Sequence, residues 1–133
     1  MKVFLSFRYT GESREGLEQF FYPLRDKLAF LGHEVYLSLD DLITWESSEL
    51  TLREKFARTF SELETSDALV VVVRTPDRSE GMLMEAGFAL ALRKPIYLYV
   101  AKDVDTYIRE VATSVVEFTG HADLLEKISI GAY

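Results

Sequence analysis

Apolar positions along the chain follow two alternating rhythms, short continuous runs and a period near 3.6, separated by glycine, proline and polar clusters. "KVFLSF" (residues 2–7) reads as a strand, and "RYTGES" after it is a turn cluster ending in Ser13, a candidate N-cap. Leu17, Phe20, Phe21, Leu24, Leu28 and Leu31 recur at the spacing of a core-facing helix, which Gly32 stops. "HEVYLSL" (33–39) predicts a second strand, and "DDLITWESSEL" (40–50) a loop carrying Trp45. A polar helix is expected over 49–64, with Leu52, Phe56, Phe60 and Leu63 on one face. "ALVVVV" (68–73) is the pattern of a strand buried on both faces. The loop "RTPDRS" leads into a helix that Pro95 ends, and "PIYLYV" follows as a fourth strand. "DTYIREVA" reads as a short helix, "SVVEF" as a fifth strand and "HADLLEKI" as a closing helix.

Strand and helix alternate throughout with short connections. That order predicts a small doubly wound α/β domain of the Rossmann or flavodoxin type. Its five-stranded, mostly parallel sheet carries helices on both faces. One such domain accounts for residues 1–133, with no repeat or linker. Ligands of these folds sit beyond the carboxyl ends of the strands. Here those ends are "SFRYTG" and "RTPDRSEG".

Composition narrows the partners. A formal net charge of −7 disfavours polymeric nucleic acid and anionic membranes, while leaving room for a small anion at a local basic spot. No apolar run has the length of a membrane span. The absence of cysteine excludes disulfides and thiolate metal sites, and with no leader at the N-terminus a cytoplasmic location is expected. His33 and His121 have no spacing that joins them to a metal set, so neither metal nor cofactor is expected.

Within "RSEGMLMEAGFALALRKPI", residues 82–92 are apolar except for Glu85. A carboxylate removed from water costs several kcal/mol unless it is paired or hydrogen-bonded. A plain reading makes Glu85 solvent-exposed or pairs it with Arg93 or Lys94. Against it, Met82, Leu83, Met84, Phe88 and Leu90 leave no polar face, and Gly81 and Gly87 clear space beside the carboxylate. A glycine inside a helix costs about 1 kcal/mol relative to alanine, so Gly87 calls for a packing or binding reason. Such a carboxylate at the rim of an apolar pocket suits nucleophilic or acid–base work. Ser79 and Gly81 open the same helix, where free N–H groups and the dipole favour an anion; an ordinary cap is the plain alternative. In Ser6-Phe7-Arg8, the arginine emerges on the expected ligand edge and suits bidentate contact with phosphate.

The pattern Ser79-x-Gly81-x-x-x-Glu85-x-Gly87-x-Ala89-x-Ala91-x-x-Lys94-Pro95 resembles the signature of the nucleoside 2-deoxyribosyltransferase superfamily. That superfamily includes the 2′-deoxynucleoside 5′-phosphate N-hydrolases. The resemblance implies that Glu85 is the nucleophile attacking the anomeric carbon, with a glycosyl-enzyme then hydrolysed by water or captured by a second base. It assigns the 5′-phosphate to Ser6, Arg8, Ser79 and Gly81, making a small-molecule nucleotide the expected ligand, and it implies a homodimer. One position departs from the family. Its general-acid aspartate falls, eight residues before Asp67, on Thr59, which has no titrating proton; Glu62 and Glu54 lie on the same segment.

Three functions follow: an N-glycosidase acting on 2′-deoxynucleoside 5′-monophosphates, a base-exchanging deoxyribosyltransferase, or a nucleotide-binding module with little turnover. "VFLSFR" also resembles the first strand of TIR domains, over those few residues alone.

Overall fold

The computed structural model describes residues 1–41 and 49–130, so Trp45 and the middle of its expected loop lie outside the described residues. In chain order the elements are β1 (Lys2–Ser6), α1 (Arg14–Phe30), β2 (Glu34–Leu37), α2 (Leu52–Glu64), β3 (Ala68–Val73) and α3 (Glu80–Ala91). They continue with β4 (Ile96–Ala101), a single 3₁₀ turn (Tyr107–Glu110), β5 (Ser114–Phe118) and α4 (His121–Lys127).

All five strands are parallel, in the order β2-β1-β3-β4-β5. β3, every residue of which is buried, sits at the centre. α1 and α4 cover one face, where Leu17, Phe21, Leu24, Leu28 and Leu124 pack on Val3, Leu5, Val70 and Val72. α2 and α3 cover the other, with Leu63, Met82, Ala86 and Ala89 against Phe4, Leu69 and Val71. The order reverses between β1 and β3, which places a ligand crevice at their carboxyl ends.

Local chemistry explains the helix ends. Ser13 caps α1 by accepting the Gly16 N–H, and Gly32 leaves the helix at φ +96°, a region that favours glycine. α2 starts at a capping box in which the Thr51 hydroxyl and the Glu54 carboxylate each take the other's backbone N–H.

Three expectations need correction. Leu31 is the cap residue after α1, 42% exposed rather than core-facing. The apolar stripe of α2 is buried at Leu63, while Leu52 is 67% exposed and Phe56 37%, because no described element lies over that end of the helix. Leu39, expected at the end of the second strand, and residues 40–41, expected in a loop, are helical.

Candidate active site

Side chains alternate along a strand, so Ser6, the last residue of β1, shares with Phe4 the face that α3 covers. α3 is held there by Met82, Ala86 and Ala89. Glu85 lies at the edge of that buried stripe, and the Ser6 hydroxyl donates a 2.6 Å hydrogen bond to its Oε1 across 79 positions of sequence. Such a short bond is the mark of a charge-assisted contact.

Glu85 remains partly exposed, yet burial pushes its carboxyl up from the ordinary 4.5 to about 7; the Ser6 bond pulls the other way and is the weaker influence. The pairing with Lys94 is absent. Lys94 instead donates through Nζ to the Glu64 carbonyl at 2.7 Å and to the Ser66 carbonyl, tying the end of α3 to the loop before β3. Nor do the described ion pairs include one between Glu85 and Arg93.

The glycines around the carboxylate stand in open space. A Cβ at Gly87 would meet nothing within 4 Å, and one at Gly81 would meet the Ser79 Oγ at 3.9 Å. Packing within the chain therefore does not explain Gly87. Ser79 acts as the N-cap, its Oγ accepting the Met82 N–H at 3.2 Å, which leaves its own proton free for another acceptor.

Arg8 is not a solvated surface residue. Its Nη1 lies 3.7 Å from Glu12 Oε1 and 3.9 Å from Asp77 Oδ2, and its side chain is 23% exposed. Ser6 and Glu85 are thus bonded directly, Ser79 and Gly81 head the same helix, and Arg8 reaches the loop before it through Asp77. Two residues beside Arg8 escaped the sequence reading. Arg74, the first residue after β3, approaches Glu12 at 3.6 Å, and Glu12 lies between the two guanidinium groups. The available signal was position: Arg74 leaves a strand on the edge where Arg8 does.

A cavity of about 440 Å³ opens on the β4 side of this loop, between Arg78, Ser79 and Met82 on one wall and Asp105, Tyr107 and Ile108 on the other. Ser6, Arg8 and Glu85 do not line it.

The α2 residues weighed as the general acid are already engaged. Thr59 turns its hydroxyl onto the Lys55 carbonyl at 3.0 Å. Glu62 binds Lys2 Nζ at 2.9 Å, at the amino end of β1 and so at the opposite edge of the sheet from Ser6. Glu54 belongs to the capping box. Asp41 accepts the Tyr36 hydroxyl at 2.6 Å and Arg58 Nε at 3.2 Å; burial, then this hydrogen bond, raises the Tyr36 phenol far above its usual value. The histidines serve structure: His121 Nε2 meets the Phe20 carbonyl at 2.8 Å, and His33 Nδ1 lies 3.3 Å from the amino terminus.

Residues 12–123 match the family profile described as nucleoside 2-deoxyribosyltransferase. The chain belongs to this family. The matched segment contains Ser79, Gly81 and Glu85 and begins after Ser6 and Arg8. No curated protein matches the sequence significantly. Among solved structures, the CMP N-glycosidase BcmB of Clostridium botulinum has a TM-score of 0.70 at 19% identity, covering 96% of each chain. A 2-deoxyribosyltransferase of Bacillus psychrosaccharolyticus gives 0.72 at 18% identity, over 98% of this chain and 93% of its own. A conserved protein from Enterococcus faecalis V583 gives 0.69 at 16% identity, over 96% of each chain. The shared α/β fold is common to all three. No helix among the described residues is long and apolar enough to cross a membrane.

Proposed function

We propose that this protein hydrolyses the N-glycosidic bond of 2′-deoxynucleoside 5′-monophosphates, with Glu85 as nucleophile. The observation that carries this reading is the Ser6–Glu85 hydrogen bond, which holds one partly buried carboxylate beside the carboxyl end of β1, next to the switch point. A Glu85 oxygen bonds to C1′ as the C1′–N bond breaks, and the electron pair departs with the base, which takes up a proton. Water then attacks C1′, the ester C–O bond breaks, the water proton is lost to solvent and Glu85 is again a carboxylate. Ser6 holds the reacting carboxylate, while Arg8, the Ser79 hydroxyl and the Gly81 N–H receive the phosphate.

A second reading, a nucleotide-binding module with little turnover, is favoured by one finding. Thr59, Glu62 and Glu54 are each committed elsewhere, so none is placed to protonate the departing base. Loss of a general acid costs about 10²–10⁴-fold in rate.

We further propose that the active form is a homodimer. Leu52, Phe56, Met84 and Leu90 expose apolar side chains along α2 and α3, and Gly87 leaves room beside Glu85 for a second chain to approach.

The deciding assay incubates the protein with the four common deoxynucleoside monophosphates and with CMP, beside a Glu85→Gln variant. Free base and deoxyribose 5-phosphate from the wild type, and not from the variant, is the expected result. Exchange that appears when a second base is added would reassign it as a transferase. Binding of every nucleotide without base release would favour the module.

A further inference from the structure

Two arginines leave strand ends on the carboxyl edge, and the site above uses one of them. Arg74 folds back over α1, its guanidinium carbon 4.1 Å from the Phe20 ring centroid and 5.9 Å from that of Phe21. The Glu12 carboxylate stands between Arg74 and Arg8, offering Oε1 to Arg8 Nη1 at 3.7 Å and Oε2 to Arg74 Nη1 at 3.6 Å. Asp77 Oδ2 adds a 3.9 Å approach to Arg8 from an exposed loop position.

None of these distances is a hydrogen bond. Arg8 Nε and Arg74 Nη1 are buried atoms with no hydrogen-bond partner among the described residues. Buried donors left unsatisfied are costly and uncommon, and two arginines that each carry one and line the same cleft ask for an acceptor with more oxygens than Glu12 supplies. The cleft between them, lined by Arg8, Glu12, Arg74, Thr75, Asp77 and Met82, measures about 10 Å³. That is the room of about one water, so a larger anion fits by taking Glu12's place rather than by sitting beside it.

We propose that Arg8 and Arg74 form a two-arginine clamp for the substrate's phosphate dianion, and that Glu12 is its resident counter-ion, expelled when phosphate enters. The nature of the phosphate's carrier rests on the nucleotide reading; the clamp itself can be measured without turnover. Displacement of Glu12 leaves the loop's own bonds intact, because the Glu12 backbone is held by the turn in which its N–H reaches the Tyr9 carbonyl at 3.0 Å, ahead of the Ser13 cap. A nucleoside without phosphate leaves Glu12 in the clamp. Discrimination then comes from a displaced competitor as well as from a gained contact.

The test is calorimetric titration of inorganic phosphate, and of dCMP against deoxycytidine, into the full chain and into Glu12→Gln, Arg74→Gln and Arg74→Lys. Glu12→Gln should tighten phosphate and dCMP by about tenfold and leave deoxycytidine unchanged, because the competing charge is gone. Arg74→Gln should weaken both phosphate ligands by at least about tenfold, with partial recovery in Arg74→Lys, which restores the charge and not the fork. A merely structural Glu12 would instead weaken binding or leave it unaltered when neutralised, and either result overturns the clamp. Should Arg74→Gln fail to fold without the Phe20 contact, Glu12→Gln decides alone. Wild-type protein that binds no phosphate also overturns it. Base release with a 5′-phosphate preference untouched by these variants would sink the clamp and spare the glycosidase; the expected affinity changes without base release would do the reverse.

Discussion

At the scale of one residue, the unusual feature is a carboxylate kept where its charge is disfavoured. The folded protein holds the Glu85 proton more tightly than the unfolded chain does, with a value raised from 4.5 to about 7. Its contribution to stability is therefore fully present below pH 4.5 and is lost as pH rises through about 7. At pH 8 the ionised group is a liability of at most about 3 kcal/mol. Glu85→Gln, which can still accept from Ser6, should accordingly raise the melting temperature at pH 8 and leave it nearly unchanged at pH 4.5. Thermal scans at the two pH values check this. Catalysis runs in the opposite sense, since the proposed nucleophile must be ionised: kcat/KM should climb as pH passes about 7. Ser6→Ala removes the contact that favours the charged form. The rising limb should then move to higher pH by about one unit, with a larger loss of rate at pH 6 than at pH 9.

At the scale of the element, β3 and β5 fall where the sequence pattern predicts them, because a continuous apolar run and a short β-branched run with turn residues at each end admit few alternatives. α3 was equally legible, and so was Ser79 as its cap. The serine-to-carboxylate contact was not. Ser6 and Glu85 are 79 positions apart, and local pattern carries no information on distances across a sheet. Arg74 and Glu12 were missed for a related reason, since a charge just past a strand or in a turn looks solvated until its neighbours across the edge are known. α2 misled in the other direction: its spacing described an apolar face correctly and said nothing of whether that face is covered. Gly87 tests what that uncovered surface is for. Its Cβ would meet nothing, so Gly87→Ala should stabilise the isolated chain by about 0.5–1 kcal/mol through helix propensity. Denaturant melts at low protein concentration measure that gain. If a ligand or a second chain closes over α3 as proposed, activity should fall in the same variant.

At the scale of the whole molecule, the exposed apolar stripe and the net charge of −7 act against each other on self-association. The proposed dimer should therefore tighten as salt rises, since screening weakens repulsion between the two negatively charged chains and spares apolar contact. Sedimentation velocity at low and high ionic strength reads this directly, and Leu90→Glu, which puts a charge into the stripe, should give a monomer at both.

The bond between Ser6 and Glu85 also sets a timetable. Synthesis delivers the carboxylate 79 residues after the serine, which at ordinary translation rates is a wait of about 4–16 s. Within that interval β1 can pair with β2 and, once residue 73 is made, with β3, but α3 is not yet there to carry Glu85 to Ser6. A chain cut short before Glu85 carries three of the five strands and lacks the proposed nucleophile, so a partly built sheet can form before the proposed centre does.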